Sequence, residues 1–390
     1  MNSRMLWTEL YKIFSKKIVW IAMLVFMLFF LLLKGQFINN SFTGNTLEPI
    51  RPELESLVSS EELRDYIKER GYSCTYEEMK AHLTTTVIQY VEKSELQHEL
   101  TSTINNYYER INKRSEYIQE LSNESTAYKS GIMNRAKEKA LATYQASDVK
   151  VELNLDRGPN NLIDVNHAMM FPCLIMLVII VGLSAVYSDE YNNRTQAALL
   201  TTRKGRKGVF LSKLVASCIF VVFVVIVMEA FFMAVTVICY HVPSTTISAA
   251  STYGLSLTTY EGSVYGFCAR QILGTLLAGI VLGCFVICLS SFSRSALIPF
   301  FISGVVYGGS ALYANEVVFP QTLSSIASLP GEMSLFMLQS QVEIVAEAHY
   351  TSVFGLLLPT LTVNILFNLA AAIICLSLCY VGYTHKQVKG

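Results

Sequence analysis

The chain has 390 residues, of which 52% are hydrophobic and only 15% are charged, and its mean hydropathy is +0.40. Soluble domains carry about a quarter charged residues, so this composition excludes an ordinary soluble protein and indicates a chain whose partner is membrane lipid. The 30 Lys and Arg residues balance the 30 Asp and Glu residues. Because the formal net charge is zero, nothing in the overall charge favours nucleic acid, and we expect no such partner.

The first 17 residues carry an amphipathic pattern. Apolar side chains recur at helical spacing from Met5 to Phe14, opposite Arg4, Glu9 and Lys12. This pattern predicts a helix lying on the cytoplasmic face of the membrane. The apolar stretch that follows has no small-residue cleavage site after it, so we interpret it as a membrane anchor and not as a signal peptide.

Six apolar segments approach or exceed the roughly 20 residues that a helix needs to cross a bilayer. They comprise residues 18–33, 168–187, 214–240, 264–289, 296–314 and 353–383. The loop of residues 188–213 holds six basic residues, whereas residues 241–263 and 315–352 hold none. Because Lys and Arg are enriched in short cytoplasmic loops, both termini are expected in the cytoplasm. The sequence therefore predicts an all-α integral membrane protein with six transmembrane helices and an N-terminal interfacial helix.

Residues 34–167 fall between the first two spans and are predicted to form a helical extracytoplasmic domain. The stretch 76–121 lacks Pro and Gly and has apolar residues at three-and-four spacing, which predicts one long helix. A second helix over 126–146 would fold back against it as a hairpin. Arg114 occupies an expected apolar position of the repeat, so packing within the domain is favoured over a coiled coil with a partner.

The cysteines indicate packing and not a disulfide framework. Cys74 is the only cysteine in the outer segment, so this segment has no second cysteine for an internal disulfide. The other eight lie in or beside apolar runs, where they serve as small apolar residues. These are Cys173, Cys218, Cys239, Cys268, Cys284, Cys288, Cys375 and Cys379.

Motifs for catalysis are missing from the sequence. The chain has no G-x-x-x-x-G-K-[ST] segment for ATP, no H-E-x-x-H segment for zinc and no C-x-x-C pair, and its six histidines are dispersed. We therefore expect no enzyme activity, no catalytic residues, no metal site and no cofactor in this chain.

The loop of residues 188–213 carries the most specific pattern. It begins acidic, has a short apolar patch that is compatible with a helix, and ends basic before the next span. In order, the pattern comprises Glu190, Thr195, Leu199, Leu200, Arg203, Arg206 and Lys213. It resembles the ABC-2 type permease family of ABC transporters, whose second loop has a Glu, a Gly-Thr pair, a Leu-Leu pair, a basic cluster and a Lys entering the next span. The family's usual Gly is replaced by Arg194, and its frequent Pro by Thr201 and Thr202.

The resemblance extends to the architecture of nearly the whole chain, including an outer loop with short helices at residues 315–352. It implies that the loop 188–213 is a coupling loop docking on a separate ABC ATPase subunit, which would bind the ATP and Mg. It also implies a second permease copy or homologue as partner, and export of a drug, peptide or ion across a bacterial plasma membrane. An ordinary basic cytoplasmic loop is the alternative interpretation of residues 188–213.

Two other classes of function remain in view. One is a mechanotransmitting ABC membrane subunit, which moves no substrate and drives an external partner through its outer hairpin; such proteins usually have four spans. The other is a membrane receptor that displays a helical outer domain and needs no ATPase. The second class leaves the six spans and the patterned loop unexplained.

One acidic residue, Glu229, falls deep inside a predicted span. A carboxylate there is costly and indicates either function or a paired partner. Arg270 in the next, antiparallel span is expected at a similar depth, so we hypothesise an intramembrane charge pair between them. Such a pair would serve equally well as a brace between helices or as part of a gate.

Overall fold

The structure, a computed structural model, describes residues 3–41, 47–127, 131–155, 158–167, 170–192, 205–240, 247–252, 254–314, 336 and 347–384. Along the first half of the chain the helices are α1 (Ser3–Phe14), α2 (Lys17–Ser41), α3 (Arg51–Val58), α4 (Glu61–Glu69), α5 (Tyr76–Met79), α6 (Thr85–Lys93), α7 (Gln97–Ala127), α8 (Ile132–Ala146) and α9 (Gly158–His167). The second half comprises α10 (Met170–Leu183), α11 (Ser188–Asn192), α12 (Gly205–Tyr240), α13 (Val264–Phe292), α14 (Leu297–Ala314), strands β1 (Tyr350–Val353) and β2 (Leu356–Pro359), and α15 (Thr360–Thr384).

Four helical stretches of the described chain are long and apolar enough to cross a membrane. They are Phe171–Glu190, Lys207–Tyr240, Val264–Phe292 and Thr360–Tyr383, with 20 to 34 residues each. A fifth is obtained if α1 and α2, which meet at a bend of 54°, count as one span, and α14 is a shorter apolar helix. The all-α membrane fold is thus confirmed, while the number of six spans stays a prediction.

Close helix contacts hold the bundle together around α13, which packs against α10, α12, α14 and α15. Glycine permits the closest of these approaches. A Cβ atom added to Gly279 would lie 3.1 Å from side-chain atoms of both Ile179 and Val221. At Gly283 the corresponding distances to Leu183 and Val221 are 3.2 Å and 3.3 Å. Glycine at these two positions therefore makes room for side chains of α10 and α12 against the backbone of α13, as small residues do between membrane helices.

A separate helical domain is built from α3 to α8, with its own apolar core between residues 47 and 155. Tyr108 donates a hydrogen bond to the Val58 carbonyl at 2.9 Å, and Asn105 donates one to the Cys74 carbonyl at 2.9 Å. These bonds tie α7 to the helices before it. The hairpin predicted from the sequence is present as α7 and α8, which pack against each other.

The single long helix predicted over 76–121 is corrected to three shorter helices, α5, α6 and α7. The chain breaks between α6 and α7 at Glu95, whose φ of 57° is left-handed. The Leu96 amide then donates to the Val91 carbonyl at 3.0 Å, which closes the end of α6. Neither Pro nor Gly marks this break, so the usual signals for the end of a helix are missing there.

The helical domain is fastened to the segment between α12 and α13. Arg114 of α7 donates to the Thr258 carbonyl at 2.6 Å, and Tyr144 of α8 donates to the Leu257 carbonyl at 2.8 Å. Arg110, one turn before Arg114, donates to the carbonyl of Ser251. Arg114 therefore occupies its apolar-looking position because it packs inside this molecule.

A β-hairpin precedes α15 and also contacts the helical domain. Its two-residue turn has φ values of 51° at Phe354 and 84° at Gly355, the backbone of a tight hairpin turn. Tyr350 of β1 shares a hydrogen bond of 2.9 Å with Thr143, and Lys139 lies 4.8 Å from the centre of its ring. Two separate connections therefore join the domain to the membrane bundle.

Three helix ends differ from the predicted segments. Helix α15 begins at Thr360 and not at 353, because residues 350–359 form the hairpin. Helix α12 begins at Gly205, so the end of the predicted coupling loop is helical. Helix α2 extends to Ser41. The limits of the membrane spans themselves stay predictions. Residues 315–335 and 337–346 of the predicted outer loop lie outside the described residues.

Candidate functional site: a buried charge cluster between α1, α11 and α12

Lys213 of α12 is fully buried, and three oxygen atoms surround its ammonium group. Its Nζ atom donates hydrogen bonds to Glu9 Oε2 at 2.9 Å and to the Val186 carbonyl at 2.8 Å. It also lies 2.8 Å from Glu190 Oε1, at ion-pair distance. One buried cation thus joins α1, the end of the second apolar stretch, α11 and α12.

Lys12 completes the cluster from the side of α1. Its Nζ atom lies 2.6 Å from Glu9 Oε1 and 3.5 Å from Glu190 Oε1. The two carboxylates are almost fully buried, with side chains 7% and 5% exposed, whereas the side chain of Lys12 is 46% exposed. Two acids and two bases sum to zero charge, so the cluster can be buried without an uncompensated ion.

A second ion pair flanks the cluster. Lys16, in the link between α1 and α2, lies 3.1 Å from Asp189 Oδ2. The bend between the two helices is therefore held next to α11 by charge. Lys12–Glu190 and Lys16–Asp189 are thus two direct ion pairs between the N-terminal segment and the turn before residue 193, and Lys213 bridges the same two parts from α12.

Burial and charge act in opposite directions on these groups. Burial alone would raise the pKa of Glu9, but the Lys213 and Lys12 ammonium groups hold it below its ordinary value of 4.5. Burial would lower the pKa of Lys12, yet Glu9 and Glu190 raise it above 10.5. At Lys16 burial prevails over Asp189, and the pKa is lowered. At neutral pH the Glu9–Lys12 pair is therefore held in its charged form.

The turn that presents Glu190 is positioned from α13. Ser290 donates a hydrogen bond to the Ser184 carbonyl at 2.9 Å and accepts one from the Tyr187 amide at 3.1 Å. The Tyr187 ring in turn lies 4.9 Å from Lys213 Nζ and 5.2 Å from the Tyr383 ring. The cluster thus contacts α13 and α15 through one tyrosine.

Aromatic packing fixes α1 against α12 beside the cluster. The Phe14 ring lies 5.6 Å from the Phe220 ring and 5.0 Å from the Phe223 ring, both in edge-to-face geometry. Trp7 and Tyr11 are 70% and 74% exposed. The amphipathic pattern placed Glu9 on the polar face of this helix, but Glu9 is buried and the aromatic side chains of Trp7 and Tyr11 are exposed.

Of the predicted coupling residues, the structure brings Glu190 and Lys213 together, and Arg206 lies in the first turn of α12. Thr195, Leu199, Leu200 and Arg203 lie outside the described residues. The residues that contact these two, Glu9 and Lys12, were not predicted, and neither was the flanking pair of Lys16 and Asp189. A signal was available, because Glu9 is the only acid in α1 and has Lys12 one turn later.

The hypothesised pair of Glu229 and Arg270 is corrected by the structure. Arg270 is exposed and lies over the Tyr260 ring, 4.8 Å from its centre. Glu229 is 2% exposed, and its carboxyl oxygens have no hydrogen-bond partner in the part of the chain that is described. The depths differ: Glu229 is eleven residues from the end of α12, about 16 Å, while Arg270 is six residues from the start of α13, about 9 Å.

Long apolar helices, a bend at an N-terminal helix and a buried charge cluster together define a multi-pass α-helical membrane protein. Within the described ranges, no group of three or more His, Cys, Asp and Glu side chains is arranged to hold a metal ion. The family model described as ABC-2 family transporter protein matches residues 4–388. The chain belongs to this family and is a membrane subunit of an ABC transporter. Comparisons with curated proteins and with solved structures gave no match.

Proposed function

We propose that the chain is the permease subunit of an ABC exporter that moves a drug, peptide or ion out across a bacterial plasma membrane. A separate ABC ATPase would bind the ATP and Mg, and a second permease copy or homologue would complete the transporter. Family membership supports the permease role. The buried charge cluster is the observation that carries the coupling part of the proposal.

The loop 193–204 is proposed to dock on the ATPase. It is held at one end by Glu190 and continues at the other into α12, which carries Lys213. Lys213 of α12 contacts Glu190 before the loop and Glu9 of α1. A force applied to the loop would therefore be transmitted to α1 and α12 together. Thr195, Leu199, Leu200, Arg203 and Arg206 are the residues proposed to contact or orient the ATPase.

The proposed topology places both termini and the charge cluster in the cytoplasm, and the helical domain outside. The basic loop 188–213 supports this orientation, because Lys and Arg favour cytoplasmic loops. A cysteine replacing exposed Lys207 should react with a membrane-impermeant maleimide only after the cells are opened. A cysteine replacing exposed Lys150 of the domain should react in intact cells. The reverse result would overturn the topology.

Coupling is tested by capturing the ATPase from detergent-solubilised membranes with tagged wild-type and variant chains. Leu200→Arg places a charge in the proposed docking patch and should abolish capture. Leu356→Arg is the matched control, since Leu356 is 68% exposed in the β-hairpin beside the helical domain. Glu190 is unsuited to this test, because its side chain is 5% exposed in the ion-pair cluster. Equal capture by both variants would refute docking through Leu200, and no capture by wild type would favour a receptor.

A mechanotransmitting subunit is the second candidate, and the attachment of the helical domain supports it. The α7–α8 hairpin is bonded both to the segment between α12 and α13 and to the β-hairpin before α15. Motion of these membrane helices would therefore be carried into the outer hairpin. Spin labels on α7 and α12 that change their distance on ATP binding, with no substrate flux in proteoliposomes, would favour this candidate over an exporter.

A further inference from the structure

Glu229 is part of a buried polar group between α12 and α13, and no basic residue of the described chain pairs with it. Its carboxyl lies beside the hydroxyl of Thr275, but that hydroxyl donates to the Gln271 carbonyl at 3.2 Å. Gln271 is 1% exposed, and both its side-chain oxygen and nitrogen lack hydrogen-bond partners in the described structure. Glu229 and Gln271 are thus buried in an apolar bundle with their side-chain bonding capacity unused in the described structure.

The helix register brings Glu229 and Thr275 to one level, with Gln271 one turn away on the same helix as Thr275. α12 and α13 run antiparallel, and a Cβ atom added to Gly279 would lie 3.6 Å from Val225. Moving one turn outward on both helices places Thr275 opposite Glu229. Gln271 follows one further turn along α13 on the same buried face. Along this face, two carboxylate oxygens, one hydroxyl oxygen and one amide oxygen are therefore available within about one helical turn.

An uncompensated carboxylate inside a membrane must be neutralised, because its desolvation is costly. Arg270 does not do so, since its guanidinium lies over Tyr260. A divalent cation would leave one positive charge in the bundle, whereas a monovalent cation leaves none. Carboxylate, amide and hydroxyl oxygens are ligands of hard cations. A single proton would neutralise the charge but would engage only one of the remaining acceptors.

We propose that Glu229, Gln271 and Thr275 form an intramembrane binding site for one small monovalent cation, with Na⁺ as the ion that fits the oxygen ligands. The cation would join α12 to α13 in the middle of the bundle. This site goes beyond the proposed export function and requires no ATPase, so it is tested on the purified chain alone.

The test measures thermal unfolding of the chain in lipid nanodiscs while choline chloride is replaced by NaCl at constant ionic strength. A ligand that binds only the folded state raises the midpoint with its concentration. We expect a saturable rise for the wild type, with about one ²²Na⁺ bound per chain. Glu229→Gln and Gln271→Leu should abolish both the rise and the bound ²²Na⁺.

Two threonine variants keep the test decisive if those changes prevent folding. Thr275→Val removes one proposed ligand and should raise the half-saturating Na⁺ concentration by at least about tenfold, the effect of losing even a supporting group of a metal site. Thr236→Val is the matched control. Thr236 is equally buried on α12, but its hydroxyl donates to the Phe232 carbonyl and it is not one of the proposed ligands, so Na⁺ binding should be unchanged.

Three results would overturn the proposal. The first is a wild-type midpoint that does not respond to Na⁺ but does respond to pH, since that outcome assigns Glu229 a proton only. The second is Na⁺ binding that persists in both Glu229→Gln and Gln271→Leu, which places the ion elsewhere. The third is equal weakening by Thr275→Val and Thr236→Val, because it would reflect loss of stability and not loss of a ligand.

Discussion

Replacing Lys213 by Met removes the cation that joins three parts of the chain while keeping a side chain of similar length. The wild-type cluster contains Glu9, Glu190, Lys12 and Lys213 and has no net charge. Lys213→Met leaves it with a charge of −1 around two almost fully buried carboxylates. Breaking a buried ion pair by removing one partner costs about 3–5 kcal/mol, chiefly because the other charge stays buried and unpaired. We expect a loss of that size.

A second substitution separates this cause from simple loss of packing. Lys213→Met combined with Glu190→Gln returns the cluster to zero charge and leaves the Glu9–Lys12 pair intact. The double variant should therefore lose less unfolding free energy than the sum of the two single losses. The difference should be at least about 1 kcal/mol, within the range measured for contacting residues. Unfolding in mixed micelles with increasing denaturing detergent gives the four free energies of the cycle.

The control for the charge change is Lys207→Met on the same helix. Lys207 is exposed, so its replacement should change stability by less than about 0.5 kcal/mol. The reasoning is refuted if Lys213→Met costs no more than the control. It is also refuted if the loss of unfolding free energy in the double variant equals the sum of the losses in the two single variants, because the charges would then not interact.

Three further predictions concern other parts of the molecule. Gly182→Ala should destabilise the bundle by about 1–3 kcal/mol in the same unfolding assay, because the added Cβ would overlap the Phe220 ring. Arg114→Met removes a charged hydrogen bond to the Thr258 carbonyl, worth about 1.5–3 kcal/mol, and should speed amide hydrogen exchange in the 254–263 segment but not in α10. The pKa of Glu9 in the folded state is lowered, so its contribution to stability is present above the ordinary value of 4.5 and is lost as the pH falls through the folded pKa. The midpoint of thermal unfolding should therefore drop in acid. Glu9→Gln should make that drop smaller.

The long apolar helices were predictable because the thickness of a bilayer sets a minimum length for each span. α10, α12, α13 and α15 each match a predicted apolar segment in their central part. Their ends were less predictable. The residues 353–359 are apolar enough to continue a span, but they form a hairpin strand because the Phe354–Gly355 turn and Tyr350 position them against the helical domain.

Within the charge cluster, the loop pattern identified Glu190 and Lys213 but not their partners. Amphipathicity places Glu9 on the polar face of α1, and a polar face ordinarily meets water. Here it meets a buried ammonium from α12, which lies 204 residues further along the chain. No local pattern encodes that contact. The Glu229–Arg270 pair failed for a related reason, since two residues in neighbouring spans pair only if their depths agree.

The arrangement of α12 links the two ends of the molecule. This helix has 36 residues, a length of about 54 Å, and carries Lys213 near its start and Glu229 beyond its middle. The segment that follows it accepts the hydrogen bonds of Arg110 and Arg114 from the helical domain. A displacement applied at the charge cluster would therefore reach the helical domain through one continuous helix. Its neighbour α13 contacts the Tyr187 turn at one end through Ser290 and the Glu229 level through Thr275, so the two helices are positioned to move as a pair.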